Sequence, residues 1–213
     1  MTHAKTTKTK TASPDIVWPP RSDALRLGRT IAGAFHTLPA SQFLMPDPER
    51  RRRAYPAYFK LAVEDTMDHG TPYAVTDCTA VALWMPVPPE GLPAVELDGR
   101  LEQACDLAER DLAFHRALHA RHPFERGAHH WLMILAVHPT QQGKGLGSRL
   151  LAAHHAYLDQ QQLGVYSEAA SMRARDFYRR LHGYADAGDP IQLPNKSLMY
   201  PMWREPQKPE PAR

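Results

Sequence analysis

A short glycine-rich segment, residues 142–148, has the residue types needed to hold a phosphate. Gly143, Gly145 and Gly147 alternate along it, and glycine lets the backbone approach a ligand closely and adopt positive φ. The segment stands where a helix would begin, and the first N–H groups of a helix carry the positive end of its dipole and have no partner within it. Lys144 can add positive charge at the rim. This chemistry predicts a site for a phosphate or pyrophosphate.

The spacing of these residues excludes two common phosphate-binding loops. A Walker loop needs G-x-x-x-x-G-K-[ST], but here Lys144 precedes Gly145 and no Lys-Ser or Lys-Thr pair closes the loop. The dinucleotide fingerprint needs G-x-G-x-x-G, but here the glycines stand at every second position. The pattern that remains is Gln-x-x-Gly-x-Gly, which runs from Gln142 to Gly147.

Two elements must hold this loop in place, a strand before it and a helix after it. The apolar run from Trp131 to Val137 predicts a strand buried on both faces, and Pro139 ends it. Beyond the loop, residues recur at the spacing of one helix face, namely Leu146, Leu150, Leu151, His154 and Leu158. The local prediction is therefore strand, glycine loop, helix.

The whole chain is predicted to be a single α/β domain with a mixed sheet. The predicted order is strand, two helices, two strands, helix, strand, helix, strand, helix, two strands. Residues 1–14 are poor in apolar side chains and are predicted to be disordered, residues 15–204 form the domain, and residues 205–213 form a flexible tail. A proline-rich surface loop is predicted at residues 86–93, followed by a long helix at 95–120.

Composition excludes several functional classes. The 213 residues are 43% hydrophobic and 23% charged, as in ordinary globular proteins, and the net charge of +3 does not favour nucleic acid. The basic run Arg50–Arg53 is expected to face solvent on the first turns of a helix. No apolar run is long enough to span a membrane and no secretory signal precedes the domain, so a cytoplasmic location is expected. The twelve histidines lack a His-Glu-x-x-His motif, and no metal is expected.

With its flanking strand and helix, the loop resembles the pyrophosphate loop of the GCN5-related N-acetyltransferases, written Gln/Arg-x-x-Gly-x-Gly/Ala. The resemblance covers residues from about 25 to 203 and is most detailed toward the branch similar to puromycin N-acetyltransferase. It rests on Ala80–Trp84, Leu135–Leu151, Ser167-Glu168 and Phe177–Tyr184. The family implies a mixed, mostly antiparallel central sheet flanked by helices, with acetyl-coenzyme A as acyl donor and no metal.

The resemblance also implies which residues bind the donor. The backbone of Leu135, Ala136 and Val137 would pair with the pantetheine arm, where the strand splays from its neighbour and an N–H polarises the thioester carbonyl. The pyrophosphate would be held by a continuous stretch comprising Gln142, Gly143, Lys144, Gly145, Leu146, Gly147 and Ser148. Ser171 stands where the family often has asparagine and is expected to hydrogen-bond the cofactor less well.

Tyr178 is the strongest candidate for a catalytic side chain. It matches the tyrosine of the family's Tyr-x-x-x-Gly-Phe signature, although His182 adds one residue before Gly183. Because a phenol has a pKa of about 10, it is protonated at neutral pH and can donate to the departing thiolate. Tyr178 is also expected to contact the cofactor.

The general base is less well determined. Many members of the family carry a glutamate in the strand before the loop, and alignment on the loop places Trp131 at that position. Four alternatives remain: His129 or His130 at the start of the strand, Glu168 after the next strand, or solvent acting through a chain of water molecules.

These residues predict an acetyl-coenzyme A-dependent N-acetyltransferase that transfers an acetyl group directly to a primary amine of a small molecule. One alternative is a non-catalytic acyl-coenzyme A-binding or regulatory domain, which would not need Tyr178. Another is transfer to a protein N-terminus or lysine. The expected partner is a small-molecule amine, with neither nucleic acid nor membrane, and a homodimer is left open.

Overall fold

The central sheet is built from strands drawn from the whole length of the domain. The computed structural model describes residues 15–93 and 108–208, so the predicted disordered segment, the first part of the helix predicted at 95–120 and the end of the tail lie outside the described residues. The strands are β1 (Ile16–Val17), β2 (Thr71–Val75), β3 (Ala80–Val87), β4 (His129–Val137), β5 (Gly164–Ala169), β6 (Ala185–Asp186), β7 (Ile191–Gln192) and β8 (Leu198–Arg204).

The strand order is β1-β2-β3-β4-β5-β8-β6, with β7 paired to β8. All pairs are antiparallel except β4 and β5, which are parallel. The prediction of a mixed, mostly antiparallel sheet in one α/β domain is therefore confirmed. The single parallel pair joins the strand before the glycine loop to the strand that carries Glu168.

Helices cover both faces of this sheet. They are α1 (Ala24–Phe35), α2 (Pro39–Leu44), α3 (Pro48–His69), α4 (Ala108–His119), α5 (Leu146–Gln160) and α6 (Met172–His182). Short 3-10 helices lie at Arg21–Asp23, Phe124–Arg126 and Pro139–Gln141. Within the described residues, none of the helices combines the length and the hydrophobicity that crossing a bilayer requires.

Local chemistry explains where the helices begin and how closely they pack. Asp47 caps α3 by accepting a hydrogen bond from the backbone N–H of Arg50 at 2.6 Å, and Pro48 occupies the first turn. Gly28 lets α1 approach α3, because a Cβ at this position would lie 2.4 Å from the carbonyl oxygen of Pro56. These two helices make the most extensive contact between elements of the fold and form one wall of the site described below.

Three local expectations need correction. Pro39 is expected from the sequence to stop the first helix, but α1 already ends at Phe35 and Pro39 begins α2, where its fixed φ and missing N–H suit the first helical position. Strand β3 continues through Pro86 and Val87, because β2 begins at Thr71, opposite Trp84, and beyond that point β4 is the one described strand that pairs with β3. Arg51 does not face solvent: it is buried and donates to the carbonyl oxygens of His36 and Met45.

The sheet separates two hydrophobic cores. One lies against α1 and α3 and includes Ile134 and Ala136 of β4. The other lies against α5 and α6, and all five residues of the predicted α5 stripe (Leu146, Leu150, Leu151, His154 and Leu158) are buried there. A third, smaller cluster joins α2 and α4 to β7 and β8. The candidate site lies where β4 passes between these layers.

Candidate active site

Strands β4 and β5 separate halfway along β4. Their pairing runs from His129 opposite Gly164 to Leu132 opposite Ser167 and then stops, whereas β3 pairs with β4 as far as Val137. At the last pair, the Ser167 hydroxyl donates to the carbonyl oxygen of Leu132 at 2.9 Å. From residue 133 to residue 137, β4 therefore presents one edge of backbone donors and acceptors that no described strand pairs with, as expected of a strand that pairs with an extended ligand.

A β-bulge lies at the point of separation. Leu83 faces Ile134 and Trp84 faces Leu132, so Met133 is an extra residue in β4. Before the bulge, Leu132 packs toward α5, whereas Ile134 packs toward α1 and α3. The bulge thus places Met133 at the level where the free edge begins, and it changes which face each following residue occupies.

The gap between the two strands opens into a cavity of about 440 Å³. This volume falls in the range of roughly 300–1,000 Å³ that is usual for small-molecule sites. Residues from α1 to α4, both separated strands, the glycine loop and α6 line it, and they include Phe35, Tyr58, Phe114, Trp131, Leu135, Ala136, Val137, Gln142, Glu168, Ser171 and Tyr178. The structure therefore brings much of the predicted site into one cavity.

The glycine loop has the conformation that an anion site requires. Gly143 and Gly145 have φ of 79° and 78°, which side chains rarely adopt. Gly145 precedes α5 without any side-chain cap, and the first bond of the helix runs from Arg149 N–H to Gly145 C=O. The N–H groups of Leu146, Gly147 and Ser148 consequently have no acceptor within the helix. These groups fit a diphosphate such as that of coenzyme A.

Side chains around the loop fix its shape. The Gln142 amide donates to the carbonyl oxygen of Val137 at 3.1 Å, which ties the loop to the end of β4. Lys144 is exposed and donates to Gln141 at 2.7 Å, so its charge lies at the rim. The Ser148 hydroxyl and His182 Nε2 are 3.1 Å apart, which joins the start of α5 to the end of α6. His182, the additional residue before Gly183, thus contacts the predicted cofactor loop.

Ser171 and Tyr178 reach the cavity from α6. Ser171 caps this helix by accepting from the N–H of Ala174 at 3.1 Å, and it also lines the cavity. Tyr178 is 6% exposed. Its burial raises the pKa of the phenol above the ordinary value of 10, and the nearby charge of Glu168 raises it further, although hydrogen bonding with Ser167 offsets part of the effect. At neutral pH the phenol is a proton donor.

Glu168 reaches the same cavity from the opposite face of β5. One carboxylate oxygen, Oε2, accepts from the indole N–H of Trp131 at 2.8 Å, and the other, Oε1, is buried without a partner among the described residues. Burial raises the pKa of this carboxyl to about 7, although the Trp131 indole, the nearby Tyr166 hydroxyl and the charge of His115 oppose the shift. A carboxyl with this pKa can accept and release a proton near neutral pH.

His130, one of the predicted catalytic residues, does not line the cavity. Strand alternation turns it to the other face of β4, where its Nδ1 lies 3.0 Å from Nε2 of His154 on α5. Burial lowers its pKa to about 4, so the imidazole is neutral at physiological pH. His129 is also occupied elsewhere, with Nε2 lying 2.8 Å from Nε2 of His122 and Nδ1 2.7 Å from the carbonyl oxygen of Gly127.

Several site residues were not found from the sequence. Trp131 stands where many members of the family carry a glutamate, and in the structure its indole N–H donates to Glu168 on β5. The Tyr58 hydroxyl donates to Asp111 at 2.6 Å, and His115 lies 3.4 Å from the same carboxylate, so α4 is joined to α3 beside the cavity. The available signal was Asp111, an acidic residue on the buried face of the amphipathic helix α4. Among the described residues, no three potential metal ligands come together.

Comparisons with known proteins agree with this geometry. Residues 104–184 match the model of the acetyltransferase (GNAT) domain. A solved structure from Corynebacterium glutamicum, described as histone acetyltransferase HPA2 and related acetyltransferase, is 24% identical, with a TM-score of 0.69 over 93% of this chain and 99% of that one.

Two insect enzymes share the fold at lower identity. Arylalkylamine N-acetyltransferase 2 from Aedes aegypti is 12% identical, with a TM-score of 0.66 over 92% of this chain and all of that one. Polyamine N-acetyltransferase from Drosophila melanogaster is 15% identical, with a TM-score of 0.61 over 90% of this chain and all of that one. The resemblance to the puromycin N-acetyltransferase branch stays a prediction. The domain model matches residues 104–184, and the solved structures share the fold over 90% or more of the chain, so the chain is similar in fold to the GCN5-related N-acetyltransferases and carries a matching acetyltransferase segment.

Proposed function

We propose that this protein uses acetyl-coenzyme A to acetylate a primary amine of a small molecule by direct transfer. The observation that carries the proposal is the meeting of Glu168 and Tyr178 in one cavity, from opposite faces of β5, beside the free edge of β4. A base and an acid on either side of a gap suit a reaction in which an amine loses a proton and a thiolate gains one.

The donor would be held by the backbone. The unpaired N–H groups at the start of α5 would hold the pyrophosphate, and the free edge of Leu135–Val137 would pair with the pantetheine arm. A backbone N–H near the bulge at Met133 would polarise the thioester carbonyl, a contribution of about 3 kcal/mol in other enzymes. Acetyl-coenzyme A supplies the activated acyl group.

Proton transfers would fall to the two side chains. Glu168 would take a proton from the substrate ammonium through Oε1, leaving a neutral amine that attacks the thioester carbonyl as the new C–N bond forms. As the C–S bond breaks, Tyr178 would give its proton to the thiolate, the second proton of the attacking nitrogen would leave to solvent as the amide forms, and Tyr178 would regain a proton from solvent. Both residues line the cavity, so no covalent enzyme intermediate is required.

The enclosure of the cavity supports a small acceptor over a protein. Helices α1, α3 and α4 all contribute lining residues on the acceptor side, among them Phe35, Tyr58 and Phe114, and would have to be displaced by a polypeptide. Glu168 Oε1 is buried without a hydrogen-bond partner among the described residues, and this supports catalysis over a purely regulatory role because the ammonium group of an acceptor could pair with it. A cytoplasmic location and a homodimer stay predictions.

Two measurements test the proposal together. Acetyl-coenzyme A at millimolar concentration should raise Tm through mass action. Pantetheine, which lacks the pyrophosphate, should raise Tm much less at the same concentration. With a panel of small primary amines, acetyl-coenzyme A should release free thiol in an amine-dependent manner. A rise in Tm without turnover of any amine would favour the regulatory alternative, and no rise at all would remove the basis of the proposal.

A further inference from the structure

We propose that the acceptor is a hydrophobic primary amine that carries a single positive charge and no carboxylate, with its ammonium at Glu168 and its apolar body between α4 and β4. This inference rests on the proposed function and adds the substrate class. It follows from the lining of the acceptor end of the cavity, where Glu168 is the one buried acid among the described lining residues and its neighbours are mostly apolar side chains.

The acceptor end lies beside α4. Tyr58 of α3 bonds to Asp111 of α4, and the charge of His115 on α4 acts on Glu168, so this helix packs over the base. The side chains that face the cavity here are almost all apolar and include three large ones on different elements, Phe114, Trp131 and Met199. Aromatic and thioether groups of this size suit a flat or branched hydrocarbon body.

The charges around the cavity favour a monocation. Glu168 Oε1 is buried and has no hydrogen-bond partner among the described residues, so an ammonium group of the acceptor can pair with it. Asp65, the other acidic residue among the described residues of the lining, has a side chain that is 41% exposed and lies 3.2 Å from His69, so its carboxylate is neither buried nor unpaired. A second ammonium group on the acceptor would therefore be buried with no carboxylate of its own, which is costly.

The same lining disfavours acceptors that carry a carboxylate. No lysine or arginine of the described residues lines the cavity. The histidine that does, His115, lies 3.4 Å from Asp111 and is directed to that carboxylate. An α-amino acid would thus bring its carboxylate close to Glu168 without a compensating cation, and like charges at short range disfavour one another.

A matched set of amines tests the inference. We would compare kcat/KM for 2-phenylethylamine, L-phenylalanine and 1,4-diaminobutane, which differ in the added carboxylate and in the replacement of the apolar body by a second ammonium group. We expect 2-phenylethylamine to exceed each of the other two by about 100-fold or more, as for sites that leave a buried charge unpaired. A kcat/KM for the diamine or the amino acid equal to or above that of 2-phenylethylamine would overturn the inference.

Two phenylalanine variants locate the acceptor. Phe114 and Phe43 both pack against the small cluster formed by α2, α4, β7 and β8, but only Phe114 lines the cavity. Phe114→Ala should raise KM for 2-phenylethylamine about 10-fold or more while leaving the Tm shift with acetyl-coenzyme A unchanged. Phe43→Ala should leave KM unchanged. Equal effects of the two substitutions on KM would contradict the placement of the apolar body beside α4.

The outcomes separate this inference from the proposed function. If acetyl-coenzyme A raises Tm and no amine in the set or in a wider panel is acetylated, the proposed function fails and the inference falls with it. If the diamine or the amino acid is acetylated best, the proposed function stands and the substrate class is wrong. If 2-phenylethylamine is preferred and Phe114→Ala alone raises its KM, both stand.

Discussion

Burial acts on Glu168 and Tyr178 in the same direction and prepares them for opposite tasks. It raises the pKa of both groups because each charged form would lose its hydration. For the carboxyl, the rise to about 7 brings ionisation into the neutral range, so the group can accept a proton from an ammonium. For the phenol, the rise moves ionisation further away, so the group stays a donor. One physical cause thus suits the two groups to the roles of base and acid that we propose for them.

Replacing Glu168 tests its role as the base. Glu168→Gln keeps an acceptor for the Trp131 indole but cannot take a proton, so kcat should fall by about 100-fold or more. In the unsubstituted protein, kcat should rise through pH 7 as the carboxyl ionises, and the variant should lose this limb. Glu205→Gln, which changes an exposed glutamate paired with Arg126, is the control. An unchanged pH profile in Glu168→Gln would assign the proton to solvent.

The same substitution should change stability with pH. The pKa of Glu168 is raised from 4.5 to about 7 on folding, so its favourable contribution is complete below pH 4.5 and is lost as pH rises through 7. The free energy of unfolding of Glu168→Gln, relative to that of the unsubstituted protein, should therefore increase by about 2 to 3 kcal/mol between pH 4.5 and pH 8. Urea unfolding at the two pH values measures this, and a constant difference would contradict burial of the carboxyl.

Tyr178 has a neighbour that serves as its control. Tyr178→Phe removes the hydroxyl in the cavity and should lower kcat about 10- to 100-fold, with little change in the Tm shift that acetyl-coenzyme A produces. Tyr184→Phe removes an equally buried hydroxyl that lies 3.0 Å from His155 and outside the cavity lining, so it should cost about 1 kcal/mol of stability and leave kcat unchanged. If both variants lose the same activity, Tyr178 acts through packing.

At the scale of elements, the glycine loop joins β4 to α5 through a left-handed residue. Gly145→Ala keeps the space around the loop free, since a Cβ meets nothing within 4 Å, but it places alanine at φ 78°. The variant should lose about 1 kcal/mol of stability and should bind acetyl-coenzyme A more weakly, because the first N–H groups of α5 shift. Isothermal titration gives the Kd, and urea unfolding gives the stability.

Gly127→Ala supplies the comparison for this loop. Gly127 has φ 76° and equally open surroundings, but it lies before β4 and outside the cavity lining. Its substitution should cost at least as much stability as Gly145→Ala and leave the Kd of acetyl-coenzyme A unchanged. A similar loss of affinity in both variants would show that general destabilisation, and not the loop, accounts for the weaker binding.

The elements themselves were predictable because their signals are local. The spacing of Leu146, Leu150 and Leu158 identifies α5, and the cap at Asp47 identifies the start of α3. Residue patterns do not reveal the separation of β4 from β5 or the bulge at Met133, since both depend on the register between strands far apart in sequence. The family resemblance predicted that β4 separates from its neighbour, but it did not predict which face of the sheet each histidine occupies.

The choice of base illustrates this limit at one position. His130 and Glu168 were equivalent candidates in the sequence, because both stand near a strand end and both can titrate. Their positions are decided by pairing: alternation along β4 turns His130 toward α5, while Glu168 on β5 faces the indole of Trp131. No local pattern records a hydrogen bond between residues 37 positions apart.

At the scale of the whole molecule, histidines are packed on both faces of the sheet as neutral groups. His122 lies close to His129, His154 lies close to His130, and His155 lies close to the hydroxyl of Tyr184. Burial lowers the pKa of His122, His154 and His155 to about 3 and that of His130 to about 4. These buried histidine contacts are stable only while the imidazoles are unprotonated. The stability of the fold is therefore sensitive to acid.

The direction and size of this sensitivity follow from proton linkage. The unfolded chain protonates these four histidines as pH falls through 6.5, whereas the folded protein does not until about pH 3 to 4, so their contribution is complete above 6.5 and is lost on acidification. At pH 5.5 the loss is on the order of 1 kcal/mol for each histidine, or roughly 4 to 6 kcal/mol in all. This is comparable with the whole stability of a typical domain, so Tm should fall steeply between pH 7 and pH 5.

One substitution tests the contribution of a single histidine to the pH dependence of stability. His154→Gln retains a hydrogen-bonding group beside His130 but cannot be protonated, so the slope of unfolding free energy against pH between 6.5 and 4.5 should decrease by one proton. His69→Gln, at a side chain that is 67% exposed on α3, should change the slope little. Urea unfolding at half-unit pH intervals gives both slopes. If the His154→Gln slope equals that of the unsubstituted protein, His154 is already protonated in the fold and the buried layer tolerates charge.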